Sequence, residues 1–401
     1  MRTVPELLGD IPWFRRVPRD ELRRVGDRFS TERLAAGQLL WGQGEAVSEL
    51  GILVEGELVA SLDGAEVGRV HTPDLVGEAS AFFLGATRTA TLAADRDATV
   101  LVLPTPDLRA LRFQRSQVYA SLLDQALRAL VRRVGRTSRE IAKHATGASE
   151  QPQRVEPGVL ARLWRSLRPG GPSMPCPPLG PLLRRMPGLG DLEPAVGEAL
   201  VARFKPQSYA EGEVLVLEGE AGDAMWLVAD GEIDVLRNVR GDRAELLAKL
   251  RSGQQFGANA MIEMGPRTAS CVAVTAGWLY RMDRDAWDAL EGEAATRWRE
   301  STLATLASQI RNANGALSRA LSVCRVPTVS PRPSPFAEPA GASVPPASGP
   351  HAGATGPRVE AVDAFHDLVL AAGYLESLPA DEAELENLAF TRDDEAGSGG
   401  R

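Results

Sequence analysis

The sequence predicts an α+β protein, mainly β, built from two copies of one β-roll with helices at both ends. The first observation is an internal repeat of glycines with identical spacing: Gly37, Gly44 and Gly56 recur as Gly212, Gly219 and Gly231. The second is a series of short apolar runs separated by glycines, over residues 34–103 and again over 214–282. This pattern is typical of short antiparallel strands joined by tight turns. Copies this far apart indicate two domains rather than a solenoid.

Helices are predicted on both sides of each roll. After the first roll, Asp107 begins a long helical stretch whose apolar residues recur at 4-3-4-3-4 spacing over 123–141, and a similar stripe covers 303–317. Such stripes usually pack on their own domain. The alternative is coiled-coil pairing with a partner helix, which would give a homodimer through the helices around 118–141 or 303–317.

Composition shifts suggest the domain boundaries. The expected order is a first domain with its C-terminal helix (1–145), a linker (146–181), a second domain (182–324), a disordered Pro-rich tether (325–358), a C-terminal helical segment (359–392) and a tail (393–401). The tether contains nine prolines and few apolar groups, which favours an extended chain. The segment after it has an amphipathic pattern, with Val362, Phe365, Leu368, Val369, Ala372 and Leu375 on one face.

The composition narrows the function classes. The net charge of −8 argues against a polyanion-binding protein. Three widely spaced cysteines and four scattered histidines give no metal-type spacing, so we expect no metal and a reducing, cytoplasmic location. No apolar run approaches the roughly 20 residues of a membrane span, so no membrane partner is expected. We find no nucleophile elbow, zinc-hydrolase, kinase or cyclase motif, and we therefore expect a non-enzymatic protein.

Each repeat carries a cassette of candidate binding residues. The first contains Gly77, Glu78, Ala79 and Ser80, followed by Arg88, Thr89 and Ala90; the second contains Gly257, Ala258 and Asn259, followed by Arg267, Thr268 and Ala269.

Three groups of the first cassette suit a small nucleotide. A one-turn helix from Glu78 presents free N–H groups to an anion. Arg88 can bind a phosphate through two parallel hydrogen bonds. Glu78 can accept a hydrogen bond from a ribose 2′-OH. Since the sequence has neither a P-loop lysine nor a carboxylate pair for Mg²⁺, a single phosphate is favoured over a triphosphate.

Both repeats resemble cyclic nucleotide-binding domains, the family that includes the regulatory subunits of cAMP-dependent protein kinase and the bacterial catabolite activator protein. The ordered glycines and the cassette carry the resemblance, which covers about residues 5–145 and 180–324. It implies an eight-stranded β-roll whose last helix closes over the base. It also implies that Arg88 binds the cyclic phosphate, that Glu78 binds the ribose 2′-OH, and that backbone N–H groups near Ser80 to Ala90 complete the cradle.

The second cassette departs from that pattern. Ala258 cannot accept a hydrogen bond from a ribose hydroxyl, although Arg267 is retained. One missing charge-assisted hydrogen bond costs about 1.5–3 kcal/mol, so we expect a weak or degenerate second site unless Asn259 or Glu263 compensates. Thr89 is compatible with contact to guanine or to phosphate, which leaves cAMP and cGMP both open as ligands.

The leading functional hypothesis is a cyclic nucleotide sensor that regulates an unidentified partner protein. A transcriptional regulator of the catabolite-activator type and a scaffold without ligand are the alternatives; a kinase regulatory subunit is less favoured. The helix after the first roll is basic, with Arg128, Arg132, Arg133, Arg136, Arg139 and Lys143. We expect these residues to form a solvated face, and a nucleic-acid partner is not favoured.

Overall fold

A computed structural model describes residues 2–145, 171–237 and 245–324. Most of the linker expected at 146–181 lies outside these ranges. The tether, the C-terminal helical segment and the tail expected at 325–358, 359–392 and 393–401 also lie outside them.

The first domain is a helix-flanked sheet of six strands. Its leading part contains α1 (Val4–Asp10), a 3-10 turn (Pro12–Phe14) and α2 (Arg19–Gly26). The strands are β1 (Ser30–Leu34), β2 (Leu39–Trp41), β3 (Glu49–Leu62), β4 (Ala65–His71), β5 (Asp74–Val76) and β6 (Thr91–Pro104), with the single turn α3 (Glu78–Ala81) between the last two. The helices α4 (Thr105–Phe113) and α5 (Gln117–Ala145) follow. All pairings are antiparallel, in the order β1-β6-β3-β4, with β2 on β6 and β5 on β3.

Two long strands explain why this domain has six strands. β3 and β6 are each 14 residues long, and their pairing shifts register between Leu53 and Leu58. Gly56 lies in this irregular stretch with φ of +88°, and a side chain there would collide with the backbone of Asp97 and Ala98. Each long strand therefore corresponds to two consecutive strands of a roll, one before and one after the irregular stretch.

The second domain has eight strands among the residues described. Its leading helices are α6 (Leu179–Leu183) and α7 (Pro194–Val201). The strands are β7 (Lys205–Tyr209), β8 (Val214–Val216), β9 (Ala224–Asp230), β10 (Ile233–Arg237), β11 (Glu245–Leu250), β12 (Gln255–Phe256), β13 (Ser270–Ala273) and β14 (Gly277–Asp283). They form two four-stranded sheets, ordered β11-β10-β13-β8 and β12-β9-β14-β7. The remaining helices are α8 (Ala258–Glu263), α9 (Arg284–Asp288) and α10 (Gly292–Cys324). The predicted α+β fold of two β-rolls is confirmed.

The second domain includes residues that precede its expected start at 182. α6 begins at Leu179, and the chain before it packs on β14. Trp278 donates to the carbonyl of Met174 (2.8 Å) and Tyr280 to that of Pro177 (2.6 Å). The Pro/Gly composition of this stretch suggested a linker. Instead, the hydrogen bonds from Trp278 and Tyr280 of β14 attach it to the second domain.

The helical stretch expected to run on from Asp107 is two helices, not one. Arg115 adopts a left-handed conformation with φ of +51°, which ends α4 before α5 begins at Gln117. One carboxylate oxygen of Glu21 accepts hydrogen bonds from the Ser116 hydroxyl (2.6 Å) and the Gln117 N–H (2.8 Å). α2 thus holds the start of α5 and satisfies a donor that the new helix leaves unpaired.

The two long helices pack against each other within the chain. α5 packs against α10, and the apolar residues of α5 up to Val134 are buried with those of α10 in one core that spans both domains. Leu127 and Leu306, for example, are each 2% exposed. These are the faces considered above for a homodimer, and the contact between the domains covers them. Neither helix, nor any other in the part of the chain described, combines the length and apolar character needed to cross a membrane.

A polar network crosses the interface between the domains. Arg112 of α4 contacts two carboxylates of α10, Glu293 at 2.6 Å and Glu300 at 3.0 Å. The hydroxyl of Tyr119 donates to Glu300 at 2.6 Å. Burial raises the pKa of Glu300, whereas Arg112 and the Tyr119 hydrogen bond oppose that rise. The network therefore supplies hydrogen-bond and ion-pair partners to the carboxylate of Glu300, which is 1% exposed.

Tyr119→Phe is expected to destabilise the protein by about 1.5–3 kcal/mol, because the hydroxyl donates to a buried charged acceptor. Tyr209→Phe is the matched control: Tyr209 is also buried, but it donates to the neutral carbonyl of Asp230 at 2.7 Å. We expect about 0.5–1.5 kcal/mol there. Urea unfolding of both variants measures the difference, and equal losses would contradict a charged acceptor at Glu300.

Candidate functional site

Gly77 joins β5 to α3 in a conformation that only glycine adopts readily. Its φ is +80°. A side chain at this position would collide with Nη1 of Arg88 and would approach the ring of Trp41 to 3.0 Å. The glycine thus lets the backbone at the start of α3 touch the arginine that the sequence places eleven residues later. The structure brings Gly77, Glu78 and Arg88 to one end of the first roll, as the sequence predicted.

Arg88 is held by both its backbone and its side chain. Its N–H donates to Glu45 O and its carbonyl accepts from Gly44 N–H, each at 2.8 Å. The guanidinium lies flat over Trp41, with Cζ 3.4 Å from the ring centroid. Nη2 donates to the carbonyl of Glu49 at 3.0 Å. These contacts orient a side chain that is only 4% exposed.

The other donors of Arg88 have no protein partner. Neither Nε nor Nη1 is hydrogen-bonded to any group in the part of the chain described, although both atoms are buried. Burial lowers the pKa of Arg88 to about 10, so the guanidinium remains charged at neutral pH. A buried cation with unpaired donors is costly. An anion with two oxygens in reach of Nε and Nη1 would satisfy them, which is the geometry of arginine–phosphate recognition.

Glu78 is the second buried charge of the site. Its side chain is fully buried, and Oε1 lies 3.1 Å from Nη1 of Arg133 on α5. This contact is an ion pair without good hydrogen-bond geometry, and neither carboxylate oxygen has a hydrogen bond among the described residues. Burial raises the pKa of Glu78; Arg133 opposes the rise and the carboxylate of Asp74 adds to it. The carboxylate therefore keeps unused acceptor capacity beside Arg88.

The solvated face that the sequence suggested for the basic residues of α5 is found only in part: Arg128 and Arg136 are exposed, whereas Arg132 and Arg133 are half-buried. Arg132 pairs with Asp74 at 3.1 Å, and Arg133 also donates to Leu75 O at 3.2 Å. Arg136 and Arg128 donate to backbone carbonyls as well, at 3.4 Å and 3.2 Å. Arg132 and Arg133 depart from the expectation because α5 lies on the β5–α3 edge of its own roll, where Asp74 and the carbonyl of Leu75 accept from them. The side chains of Arg139 and Lys143 lie outside the description.

α10 of the second domain reaches the first cassette. The side-chain amide of Asn314 donates to the carbonyl of Thr89 at 3.4 Å, and Ser318 hydrogen-bonds with Asp63. Thr89 and Ala90 are half-buried. No spacing in the sequence relates residue 314 to residue 89, so this contact was missed. Only the pairing of α5 with α10 brings the two together.

The second cassette has the same frame but a different arginine environment. Gly257 has φ of +81°, and a side chain there would lie 2.9 Å from Nη1 of Arg267. Nη1 donates to Gly257 O and Nη2 to Ala224 O, each at 2.8 Å. Arg267 is 5% exposed and burial lowers its pKa. Both terminal nitrogens of this arginine are therefore bound to the backbone of its own domain.

The remaining residues of the two cassettes differ in how far they are buried. Ala79, Ser80, Ala258 and Ala269 are buried, Asn259 is half-buried, and Thr268 is exposed. The N–H of Ser80, which was expected in the phosphate cradle, donates instead to Gly77 O at 3.2 Å. The local turn of α3 uses this donor. Contact of the other backbone N–H groups with a phosphate stays a prediction.

A tryptophan packs on the arginine in both domains but comes from different strands. Trp41 belongs to β2, whereas Trp226 belongs to β9, with Cζ of Arg267 4.9 Å from its ring centroid. Where β9 has Trp226, the first repeat has Gly51, and a side chain at Gly51 would touch Trp41 at 3.1 Å. The small residue at position 51 therefore leaves room for Trp41, whereas in the second repeat the equivalent position holds the tryptophan itself. Sequence reasoning missed both tryptophans because they do not align in the repeat.

Ala258→Glu is expected to leave the second domain without a nucleotide site, because the terminal nitrogens of Arg267 stay bound to carbonyls. The new carboxylate would be buried, since Ala258 is 6% exposed, and would destabilise the protein by about 2 kcal/mol. Ala258→Gln serves as the neutral control of equal size. Calorimetry with cAMP and thermal unfolding measure the two effects; a second binding event in the Glu variant would contradict this account.

Comparison with known proteins gives the same class for both segments. The family model described as "Cyclic nucleotide-binding domain" matches residues 31–115 and 206–291. These segments are cyclic nucleotide-binding domains. They coincide with the two β-rolls and contain Arg88 and Arg267.

The chain is also similar to curated proteins over part of its length. It is 30% identical over 130 residues to the CRP-like cAMP-activated global transcriptional regulator of Mycobacterium tuberculosis, covering 32% of this chain and 56% of that protein. It is 31% identical over 111 residues to the cAMP-dependent protein kinase regulatory subunit of Aspergillus niger, covering 27% of this chain and 26% of that protein. The chain thus spans about half the length, or less, of these relatives.

Among solved structures, the regulatory domain of Toxoplasma gondii PKA with cAMP is 18% identical. The match covers 73% of this chain and 93% of that one, with a TM-score of 0.27. A score this low carries no argument about how the two domains of this chain are arranged.

Proposed function

We propose that the first domain binds a cyclic nucleoside monophosphate, and that the protein is a non-enzymatic regulator controlled by this ligand. The observation that carries the proposal is the buried guanidinium of Arg88 beside the buried carboxylate of Glu78: its Nε and Nη1 have no hydrogen bond to any residue that the structure describes. Arg88 binds the cyclic phosphate and Glu78 accepts from the ribose 2′-OH. Gly77 allows the ligand-binding backbone to approach Arg88.

The second domain acts as a structural pseudo-site in this proposal. Arg267 is the residue that would bind a phosphate, but its terminal nitrogens already hold Gly257 O and Ala224 O. Ala258 supplies no acceptor for a ribose hydroxyl. A phosphate would have to replace two hydrogen bonds of 2.8 Å, and nothing at position 258 would add to its affinity.

The signal passes through α5. In the structure Arg133 of α5 contacts Glu78, the group assigned to the ribose. A ribose hydroxyl that binds Glu78 competes with Arg133 and so weakens one contact that holds α5 on the roll. A ligand shifts such an equilibrium only by its different affinities for the two states. Because α5 packs on α10, a change in its position reaches the second domain, and from there a partner protein.

Of the two cyclic nucleotides, we propose cAMP as the ligand. Two relatives with the similarity given above carry cAMP in their names, whereas Thr89 fits either base. Regulation of transcription is the second candidate function, favoured by the name of the Mycobacterium tuberculosis relative. Against it, Arg132 and Arg133 of α5 are bound to Asp74, Glu78 and Leu75 O of the first domain, which leaves Arg128 and Arg136 as the exposed arginines of the described part of this helix. Tight sequence-selective gel shifts would favour this second function.

Calorimetric titration of the full chain with cAMP, cGMP and linear 5′-AMP tests the proposal. We expect saturable binding of at least one cyclic nucleotide and much weaker binding of 5′-AMP, because the second charge of its phosphate would be buried close to the carboxylate of Glu78. Absence of heat with all three ligands, at protein concentrations of about 100 μM where a Kd below 1 mM is still detectable, would remove the sensor assignment.

A further inference from the structure

A shallow apolar groove lies on the first domain, away from Arg88 and Glu78. It is formed by the end of α3 and the residues after it, by α4 and by the start of α5, and it is open to solvent. Its apolar lining includes Phe82, Leu84, Leu108, Phe113 and Tyr119. Its shallow, open shape suits side chains that lie across its surface.

Two residues of this groove are unusually exposed for their type. Phe113 is 59% and Leu84 39% exposed. Other exposed apolar residues, such as Leu39 and Met264, occur outside this groove and need no explanation. Phe113 and Leu84 instead share one concave surface, which is typical of a docking site. Covering an aromatic side chain there removes apolar surface from water, at about 25 cal/mol for each Å².

Two arginines of α4 line the groove, and only one of them has its charge compensated. Arg112 is fixed by Glu293 and Glu300. Arg109 also lines the groove, and it has no hydrogen bond or ion pair with any residue that the structure describes. An occupant with apolar anchors and a carboxylate beside them would satisfy both features: the apolar side chains enter the groove, and the carboxylate pairs with Arg109.

One segment of this chain has that chemistry. Val362, Phe365, Leu368, Val369, Ala372 and Leu375 follow helical spacing. Asp363 and Asp367 lie next to this apolar stripe, one turn apart. Residues 359–401 contain eleven Asp and Glu but two Arg, so their net charge is opposite to that of the Arg109 side chain. The helix-in-groove mode of recognition uses this kind of stripe.

The chain between the two is long enough. α10 begins next to Arg112 and has 33 residues. At 1.5 Å per residue its end lies roughly 50 Å away. Residues 325–361 must span that distance; as a flexible chain they average about 35 Å, and as extended polyproline they reach about 115 Å. The required span falls between these limits, so docking within one chain is geometrically allowed.

We propose that residues 359–378 dock with their apolar stripe in the Phe113–Leu84 groove of the same chain, where Asp363 or Asp367 pairs with Arg109. This contact is separate from the nucleotide site and does not require that site to bind a ligand. It places the acidic C-terminal part of the chain against the α3–α5 face of the first domain.

Photo-crosslinking of the full chain tests the proposal. A benzophenone amino acid replaces Phe113, and cross-linked peptides are identified by mass spectrometry. We expect the main product to join position 113 to residues 359–378. The same amino acid in place of Leu39, which is 51% exposed on β2, is the matched control and should not capture this segment. Phe365→Asp and Arg109→Glu should each reduce the yield at least about fivefold, as loss of about 1 kcal/mol implies.

An equal mixture of ¹⁵N-labelled and unlabelled chains separates the possible occupants. Cross-links within one isotopic form support docking in the same chain. Mixed-isotope products would show that a second copy supplies the segment and would overturn the proposal. It would equally be overturned by cross-links from position 113 to other regions, by none at all, or by a yield unchanged in Phe365→Asp.

Discussion

Arg88→Ala is expected to weaken binding of cyclic nucleotide by about 100-fold or more. The variant removes Nε and Nη1, the two donors that have no hydrogen-bond partner among residues 2–145, 171–237 and 245–324. Two hydrogen bonds to a charged group are worth about 3–6 kcal/mol together, and each 1.4 kcal/mol is a factor of ten in Kd. The loss of folding stability should be small, since only one hydrogen bond of Arg88 to the protein, that to Glu49 O, and the stacking on Trp41 disappear.

Arg267→Ala is the matched control and should behave in the opposite way. Its removal takes the Arg267 donor from Ala224 O and leaves Gly257 O with the N–H of Met261 at 3.3 Å, which costs about 1–3 kcal/mol of folding stability. Affinity for nucleotide should change less than about twofold, which corresponds to the loss of no more than one weak contact. Calorimetry and thermal unfolding of both variants check this reciprocal pattern. If Arg267→Ala lost the ligand and Arg88→Ala kept it, the assignment of the two domains would be wrong.

Arg133→Met is expected to destabilise the protein at neutral pH by about 3–5 kcal/mol, because it leaves the fully buried carboxylate of Glu78 without its cation. Arg132→Met is the matched control on the same helix. Arg132 pairs with Asp74 near the surface, with side-chain exposures of 39% and 19%, so that variant should lose about 1 kcal/mol or less. Urea unfolding measures both.

The penalty in Arg133→Met should depend on pH in one direction. Burial raises the pKa of Glu78 in the folded state above its ordinary value of 4.5, and removal of Arg133 raises it further. The folded state then binds the proton more tightly than the unfolded state. Stability is therefore lost as pH rises from about 4.5 through the raised pKa of Glu78, and the penalty is absent below that window.

The double variant Arg133→Met/Glu78→Gln distinguishes charge from packing. It removes the buried charge together with its partner, so most of the lost stability should return and the pH dependence should flatten. Cyclic nucleotide should also stabilise Arg133→Met more than the wild type, since the ribose hydroxyl then meets Glu78 without a competitor. If the single variant were as stable as the wild type at pH 7, the ion pair would not restrain α5.

The sequence was sufficient for what depends on local pattern. Repeated glycines with positive φ, strand alternation and the order of the cassette gave two β-rolls and placed Gly77, Glu78 and Arg88 together. These features rest on residue types that few alternatives can replace. A left-handed turn needs glycine, and a short strand needs alternating apolar residues.

What the sequence did not give depends on contacts across long separations. Trp41 and Trp226 occupy the same space from different strands, so alignment of the repeats hides them. The arginines of α5 looked like a solvated face because the stripe opposite them is apolar, yet Arg133 is the partner of Glu78. Asn314 reaches Thr89 only because two helices from different domains pair. In each case the sequence does not specify which surface of the protein the strand or helix packs against.

Counting the ligands bound per chain tests the central claim most directly. Native mass spectrometry of the full protein at saturating cAMP, repeated with cGMP, resolves each bound copy as a discrete mass increment. The account predicts one cyclic nucleotide per chain for at least one of the two ligands, absent in Arg88→Ala and unchanged in Arg267→Ala. Two nucleotides per chain, or one that persists in Arg88→Ala, would contradict it.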